Sequence, residues 1–265
     1  MSLISALFLG FTAAVLIALA GYRARALTAD GALAAIVAGT LVFGCGGFRW
    51  AAVMVGFFVL SSALSRVGKR RKRSAAQIVE KGSRRDATQV LANGGIAALL
   101  AFSHQLSGSE VLFPAFLGTM AAATADTWST EIGGLSRRPP RSIVSGKIVA
   151  PGVSGGVTLL GLFAAALGGL TIGGIGGAWS ANAFRLLILG MIAGLAGSLF
   201  DSVLGASIQR TYRCPACGTF TEHPIHDCGT MTEAVRGIPF VNNDAVNGLT
   251  TLFGAIVGAV LFKIL

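Results

Sequence analysis

Long apolar runs, separated by short polar segments, follow one another along almost the whole chain. A helix that spans the hydrocarbon core of a bilayer needs about 20 predominantly apolar residues. The runs approach this length, and charged residues inside them are few. We therefore predict an all-α polytopic membrane protein with about eight transmembrane helices. The predicted helices cover residues 3–20, 31–48, 50–64, 89–105, 111–128, 152–171, 184–205 and 245–265.

The composition of the chain agrees with this pattern. Its 265 residues are 53% hydrophobic and 12% charged, and the mean hydropathy is +0.73. In a soluble domain about 25% of the residues are charged. We expect a single integral membrane domain over residues 1–265, with the bilayer as its main solvent.

Three stretches indicate an internal repeat. "NGGIAALLAF" from Asn93, "SGGVTLLGLF" from Ser154 and "NGLTTLFGAI" from Asn247 each open a predicted helix. They suggest repeated helical hairpins, although Gly-rich apolar sequences also resemble one another by chance.

The basic residues predict the orientation in the membrane. If the N-terminus lies outside, all of the 21 Lys and Arg residues except Arg49, Arg185 and Lys263 lie on the cytosolic side. This bias is the one expected for a protein of the cytoplasmic membrane. The cytosolic loops are then residues 65–88, 132–151 and 206–244. The run "RVGKRRKR" favours contact with anionic lipid, and no nucleic-acid partner is expected because no aromatic residue interleaves with these charges.

Polar side chains interrupt five predicted helices close to the cytosolic surface. An ionised group in hydrocarbon costs several kcal/mol, so such residues normally face the bundle interior and pair there. A single one is as readily a helix cap or an interhelical hydrogen bond. Five at one depth predict a functional site just beneath the cytosolic surface. These residues are Asn93, Asp126, Ser154, Asp201 and Asn247.

Oxygen donors dominate this layer, which favours Mg²⁺, an ion that usually also binds substrate phosphates. We assign Asp126, Glu131 and Asp201 to the metal and include Asn93 among the catalytic residues. Asp126 and Glu131 are five residues apart, about 140° around a helix. Either the helix unwinds near Ser129, or Glu131 orients a second group.

The loop before the sixth predicted helix is basic and ends in the Gly-rich turn "GVSGG". Cationic side chains and the backbone N–H groups of such a turn at a helix N-terminus can hold phosphate. The same loop is also compatible with a simple topology signal. The candidate phosphate-binding groups are Arg138, Arg141, Lys147, Ser154, Gly155 and Gly156, and Asn247 is added from the polar layer.

Three of the four cysteines lie in the last cytosolic loop, in "CPACGTFTEHPIHDCG". Cys214, Cys217, His226 and Cys228 offer three thiolates and one imidazole, which predicts a structural Zn²⁺ site over residues 214–228. His223 is an alternative ligand. A redox-active CxxC pair and unligated thiols are the other interpretations.

Seven motifs, in this order, resemble the multi-pass membrane family that contains plant phytyl-phosphate kinase. They are "NGG", "ADTWSTEIG", "RPPRSI", "PGVSGGVT", "GSLFDSVLGASIQ", "YRCPACG" and "NNDAVN". The resemblance implies a CTP-dependent isoprenoid-phosphate kinase, which transfers a phosphoryl group to a prenyl or phytyl monophosphate. It adds Asn242 and Asn243 to the nucleotide-phosphate site. Relatives often have Asn where this chain has Ser154. The matching positions are Asn93, Asp126, Glu131, Arg141, Gly155, Gly156, Asp201, Asn242, Asn243 and Asn247.

The expected cofactors are therefore Mg²⁺ and a structural Zn²⁺. The expected partners are a nucleoside triphosphate, an isoprenoid or other lipid monophosphate, and membrane lipid. Two other functions fit the same residues: a nucleotidyltransferase acting on a lipid phosphate, and a transporter with intramembrane carboxylates.

Overall fold

The structure is a computed structural model that describes residues 2–66 and 84–265. In these residues, eight α-helices are joined by loops that carry two small sheets. Most of the predicted loop 65–88 lies outside the described residues. The helices are α1 (Leu3–Arg23), α2 (Ala29–Gly46), α3 (Phe48–Leu64), α4 (Ala87–Ser107), α5 (Leu112–Gly133), α6 (Leu159–Gly177), α7 (Ala183–Ser207) and α8 (Asn243–Ile264). The predicted all-α membrane fold is confirmed.

Polar capping residues fix where several helices begin. At each of these starts a side-chain oxygen accepts a hydrogen bond from a backbone N–H of the first turn, which has no partner inside the helix. The caps are Ser2 for α1, Thr28 for α2, Asp86 for α4, Thr158 for α6 and Asn242 for α8.

The sixth helix begins later than the sequence predicts, so the predicted start at residue 152 is wrong. Gly152 and Gly155 have φ angles of +92° and +82°, a left-handed backbone that cannot continue into an α-helix. Residues 152–155 therefore form a turn, Gly156 and Val157 follow in an extended conformation, and α6 starts only after Thr158. Ser154 consequently lies in this turn and not at the inner end of a helix.

Not every helix is apolar enough to be read as a membrane span. Among the described helices, five meet the length and hydropathy expected of a span: α1, α2, α6, α7 and α8. Helix α3 is apolar but has 17 residues. Helix α5 is buried continuously from Phe113 to Ala125. Because protein rather than lipid surrounds it, α5 does not need a surface of large apolar side chains.

Glycines allow the helices around α5 to approach closely, and α1 with α2 and α6 with α7 pack as hairpins. A Cβ atom at Gly190 of α7 would lie 2.6 Å from the carbonyl oxygen of Gly169 in α6. A Cβ atom at Gly254 of α8 would lie 2.5 Å from the carbonyl oxygen of Gly118 in α5. Such small-residue crossings are typical of helix packing in membranes.

We expect Gly254→Ala to lower the free energy of unfolding by about 1–3 kcal/mol, because the new methyl group overlaps the backbone of α5. The matched control is Gly248→Ala in the same helix, where a Cβ atom would meet nothing within 4 Å. There the better helix propensity of Ala should leave stability unchanged or raise it by up to about 1 kcal/mol. Denaturant unfolding in micelles measures both, and equal effects would contradict this packing.

The first sheet is a two-stranded antiparallel pair between α5 and α6, formed by β1 (Arg141–Ser142) and β2 (Gly156–Val157). The second sheet lies between α7 and α8 and is antiparallel, with the strand order β4-β3-β5. Its strands are β3 (Thr211–Arg213), β4 (Phe220–Thr221) and β5 (Glu233–Arg236). We call this second sheet, with the loops that carry its cysteines, the cysteine module (residues 211–236).

Candidate functional site

Two carboxyl groups from different helices meet inside the bundle. Asp126 of α5 and Asp201 of α7 lie in hydrogen-bond contact with each other. The hydroxyl of Thr250 in α8 donates a hydrogen bond to Oδ2 of Asp201 at 3.0 Å. Three helices therefore bring polar groups to one point. Two carboxylates in contact repel each other unless a cation or a shared proton lies between them, so this pair has the chemistry that a divalent cation can neutralise.

A third carboxylate, that of Glu222, lies beside this pair, and sequence reasoning missed it. Glu222 directly follows β4 and is only 7% exposed. Its charge acts on Asp201. Its Oε1 accepts a hydrogen bond from the side-chain amide of Gln209 at 2.7 Å and another from the Ser154 hydroxyl. An acidic residue in a polar loop is ordinarily solvated, so nothing in the sequence around Glu222 indicated its burial.

Glu131 and Asp126 interact with different residues. Helix α5 is unbroken through both residues, so the alternative in which it unwinds near Ser129 is wrong. Glu131 interacts electrostatically with Arg85, and the guanidinium of Arg85 donates to the Ser62 hydroxyl at 2.7 Å. The second alternative, in which the two carboxylates of α5 have separate partners, fits this arrangement.

Asn93 lies on the side of α4 that faces α2 and α3. Its Nδ2 donates to the backbone carbonyl of Gln89 at 3.0 Å, and its side chain lines an apolar cavity of about 100 Å³ between α1, α2, α3 and α4. Among the described residues, no hydrogen bond joins Asn93 to the Asp126–Asp201 pair. Among the described residues that line this cavity, the polar side chains are those of Arg85, Gln89 and Asn93. Oε1 of Gln89 is buried there, and no described residue donates a hydrogen bond to it.

The basic residues before α6 are exposed on a folded loop. Arg138, Arg141 and Lys147 all face outward, and the guanidinium of Arg141 donates to the carbonyl of Gly146 at 2.9 Å. Strand β1 pairs Arg141 with Val157 of β2. The loop therefore exposes three cationic side chains close in sequence to the turn that precedes α6.

That turn packs against α7. A Cβ atom at Gly155 would collide with Ala206, and the carbonyl of Gly155 accepts a hydrogen bond from the N–H of Ile143 at 2.9 Å. Since Thr158 already caps α6, Ser154, Gly155 and Gly156 do not form the N-terminus of that helix. The turn is instead held between the basic loop and the end of α7.

The three asparagines of "NNDAVN" occupy different environments. Asn242 caps α8 through its Oδ1, which accepts from the N–H of Ala245 at 3.0 Å. Asn243 is half-buried in the first turn. Asn247 is 8% exposed and lies three residues before Thr250, which places it on the same side of α8 as the residue that contacts Asp201. By the same helical spacing Asn243, seven residues before Thr250, also lies on this face of α8. Asn247 is the more buried of the two and lies one turn from Thr250.

The cysteine module brings four metal-ligating side chains together. The ligand atoms of Cys214, Cys217, His226 and Cys228 all lie within 4.8 Å of one another. Sγ of Cys214 is 3.6 Å from Sγ of Cys228, and Nδ1 of His226 is 3.1 Å from Sγ of Cys228. The backbone N–H of Cys217 donates to Sγ of Cys214 at 3.4 Å. The sequence left His223 and His226 as alternative ligands, and His226 is the one that lies with the three cysteines. We call these four residues the Cys/His cluster.

The donor set of the Cys/His cluster suits a metal ion such as Zn²⁺. Three thiolates and one imidazole form a closed tetrahedral site. Nε2 of His226 lies 3.2 Å from the Thr219 hydroxyl, a contact that orients the ring with Nδ1 toward the sulfur atoms. Hydrogen bonds with the Thr230 side chain and with His226 lower the pKa of Cys228 to about 6, whereas the hydrogen bond with Cys228 raises the pKa of Cys217 to about 11. Cys228 is therefore the first of these thiols to form the thiolate that metal binding requires.

The sequence matches the family described as Integral membrane protein DUF92 over residues 12–255, so the chain belongs to the DUF92 family of integral membrane proteins. It is 35% identical to Protein PGR of Arabidopsis thaliana over 89% of this chain and 89% of that protein. It is 29% identical to an uncharacterised membrane protein of Methanocaldococcus jannaschii over 97% and 94% of the two chains. It is 23% identical to Protein VTE6, chloroplastic, of Arabidopsis thaliana over 89% of this chain and 65% of that protein. No solved structure matches the chain. The family predicted from the seven motifs is thereby confirmed.

Proposed function

We propose that the protein is a membrane phosphotransferase that moves the terminal phosphoryl group of a nucleoside triphosphate, CTP by family resemblance, to an isoprenoid monophosphate. The observation that carries this proposal is the contact between Asp126 and Asp201. The turn that follows the basic loop reaches this site, because Ser154 donates to Glu222, whose charge acts on Asp201. A paired carboxylate site supplies metal ligands, and the cationic loop before that turn supplies charge for phosphate. We also propose that this end of the bundle faces the cytosol, where the nucleotide is found, with the N-terminus outside.

The residues of the carboxylate pair fit Mg²⁺, because hard oxygen donors are the ligands that this ion prefers. When bound, Mg²⁺ would offset the negative charge that the phosphate chain carries during transfer. Asp126 and Asp201 would hold the ion, and the Thr250 hydroxyl would keep Asp201 oriented. Asn247 lies on the same face of α8 and is available to the phosphate or to the ion.

The chemical step requires no covalent bond between the protein and its substrates. An oxygen of the acceptor monophosphate attacks the terminal phosphorus of the nucleotide, the bond to the bridging oxygen breaks, and the nucleoside diphosphate leaves. The acceptor phosphate is already ionised and nucleophilic at neutral pH, so no dedicated general base is required. The protein therefore acts mainly by positioning and by charge stabilisation. Arg138, Arg141 and Lys147 are exposed beside the turn and can reach the phosphates as they approach.

The apolar cavity between α1, α2, α3 and α4 supports a lipid acceptor. Its described lining is apolar except for Arg85, Gln89 and Asn93, so the cavity has a large apolar part and a small polar part, as an amphiphilic ligand does. Oε1 of Gln89, which has no partner within the described part of the chain, is an acceptor that a ligand hydroxyl or a water molecule can satisfy. A cavity of about 100 Å³ can hold only a short part of an isoprenoid tail, so most of the tail would remain in the adjoining lipid while the head lies at the polar end.

The experiment is a grid of donors and acceptors with purified protein. CTP, UTP and ATP are each incubated with Mg²⁺ and a C15 or C20 prenyl monophosphate, and phosphorus NMR identifies the products. We expect prenyl diphosphate and a nucleoside diphosphate in equal amounts. Release of pyrophosphate would identify a nucleotidyltransferase instead. Absence of any diphosphate, with the lipid shown to enter the micelle, would contradict the kinase, and flux of substrate in liposomes under those conditions would favour the transporter.

A further inference from the structure

The cysteine module is fastened to the end of α7 that carries Asp201. The guanidinium of Arg236 donates to the carbonyls of Gly205 and Ala206 at 2.9 and 2.7 Å. These carbonyls lie in the last turn of α7, where helical partners are missing. The N–H of Ile238 also donates to the carbonyl of Ile208 at 2.9 Å. Since Asp201 lies one turn before Gly205, the module is anchored next to the carboxylate pair.

Glu222 is the residue of the cysteine module that lies beside the carboxylate pair. Its Oε1 receives hydrogen bonds from Ser154, in the turn before α6, and from Gln209, just beyond α7. It also lies close enough to Asp201 for their charges to interact. One carboxylate therefore joins the turn, the end of α7 and the carboxylate pair. A buried polar network of this kind depends on every member being held in place.

The Cys/His cluster holds the hairpin that carries Glu222. Strand β4 pairs with β3, and the two are joined by the turn that contains Cys214 and Cys217. Glu222 directly follows β4 and lies four residues before His226. The strands β3 and β4 have only three and two residues, and so short a hairpin has little stability of its own. A metal ion bound by residues on both sides of β4 would supply the missing constraint.

We propose that Glu222 couples the Cys/His cluster to the carboxylate pair, as a positioning residue whose charge and hydrogen bonds set how strongly the pair binds a divalent cation. This inference rests on the proposed function only in that the pair binds such a cation. The metal of the Cys/His cluster then acts at a distance, by keeping Glu222 beside Asp201. Loss of that metal releases the hairpin and weakens cation binding in the membrane site.

The test measures Mn²⁺ binding by electron paramagnetic resonance, a signal that does not depend on turnover. We expect Glu222→Gln, which keeps a hydrogen-bond acceptor but removes the charge, to raise the Kd for Mn²⁺ at least about tenfold while one Zn²⁺ per chain is retained. Cys217→Ser should lose Zn²⁺ and show a similar rise. The matched control is Glu233→Gln, an exposed position of β5 in the same sheet, which should bind both metals as the wild type does.

Wild-type Mn²⁺ affinity in Glu222→Gln would overturn the coupling, even if Cys217→Ser does not fold. Wild-type Mn²⁺ affinity in a folded Cys217→Ser protein that has lost its Zn²⁺ would overturn it as well, and so would a wild-type protein that binds no Mn²⁺. The proposed function fails separately. If Glu222→Gln weakens Mn²⁺ binding but the protein forms no diphosphate, the coupling is supported and the proposed kinase activity is contradicted.

Discussion

Asp126→Asn and Asp201→Asn are each expected to lower turnover by at least about 10²-fold, through loss of the charge that holds the metal at the phosphate chain. Asn has nearly the shape of Asp, so packing between α5 and α7 is kept. Removing one of two carboxylates in contact also removes their mutual repulsion. The free energy of unfolding should therefore stay unchanged or rise. Initial rates at saturating nucleotide and acceptor, with thermal unfolding of the same samples, measure both quantities.

The two measurements together separate a metal-binding role from a structural one. If the pair served only to join α5 and α7 by a hydrogen bond, each Asn variant would keep both stability and activity, because its side-chain amide can donate to the remaining carboxylate. The control is Glu110→Gln, an exposed carboxylate just before α5, which should retain wild-type turnover. We also expect the double variant to be no slower than the slower single variant, since residues that act as a unit are not additive. Wild-type rates in both single variants would show that the carboxylate pair is not the catalytic metal site.

Cys214→Ser is expected to abolish Zn²⁺ binding and to lower the melting temperature by at least about 5 °C, because metal affinity at a structural site is also folding free energy. Cys214 is fully buried at the base of the cluster. Its loss removes a ligand and leaves a polar hydroxyl in its place. Elemental analysis gives the metal content, and a melting curve gives the stability.

Cys45→Ala provides the comparison for this variant. Cys45 is buried in α2 and is a free thiol outside the Cys/His cluster. Its replacement should leave Zn²⁺ at one ion per chain. If wild-type protein contains no zinc and Cys214→Ser melts at the wild-type temperature, the cluster is not a structural zinc site.

Much of the fold could be predicted from the sequence, because the bilayer imposes a simple rule on it. Apolar runs located each helix, and the capping residues Thr28, Asp86 and Asn242 lie where the helices begin. The late start of α6 was missed, because it depends on the left-handed conformations of Gly152 and Gly155. The burial of α5 was missed too, since an apolar run does not show whether lipid or protein covers it.

The candidate site was predictable only where helices carry it. Depth in the membrane is readable from position in a helix, and this placed Asp126 and Asp201 at one level before the structure showed their contact. Glu222 lies in a loop, where position in the sequence does not indicate depth in the membrane, so its place beside the carboxylate pair could not be predicted. Helical spacing likewise left the partner of Glu131 undetermined, because Arg85 comes from a distant part of the chain.

Phosphorus electron-nuclear double resonance on protein loaded with Mn²⁺ and CTP would show whether the carboxylate pair holds a metal-bound phosphate chain. We expect a phosphorus coupling to protein-bound Mn²⁺ in the wild type, and its loss in Asp126→Asn and Asp201→Asn. If the phosphorus coupling of the protein-bound Mn²⁺ is unchanged in both variants, the ion and its phosphate chain are held elsewhere and the carboxylate pair is not the site.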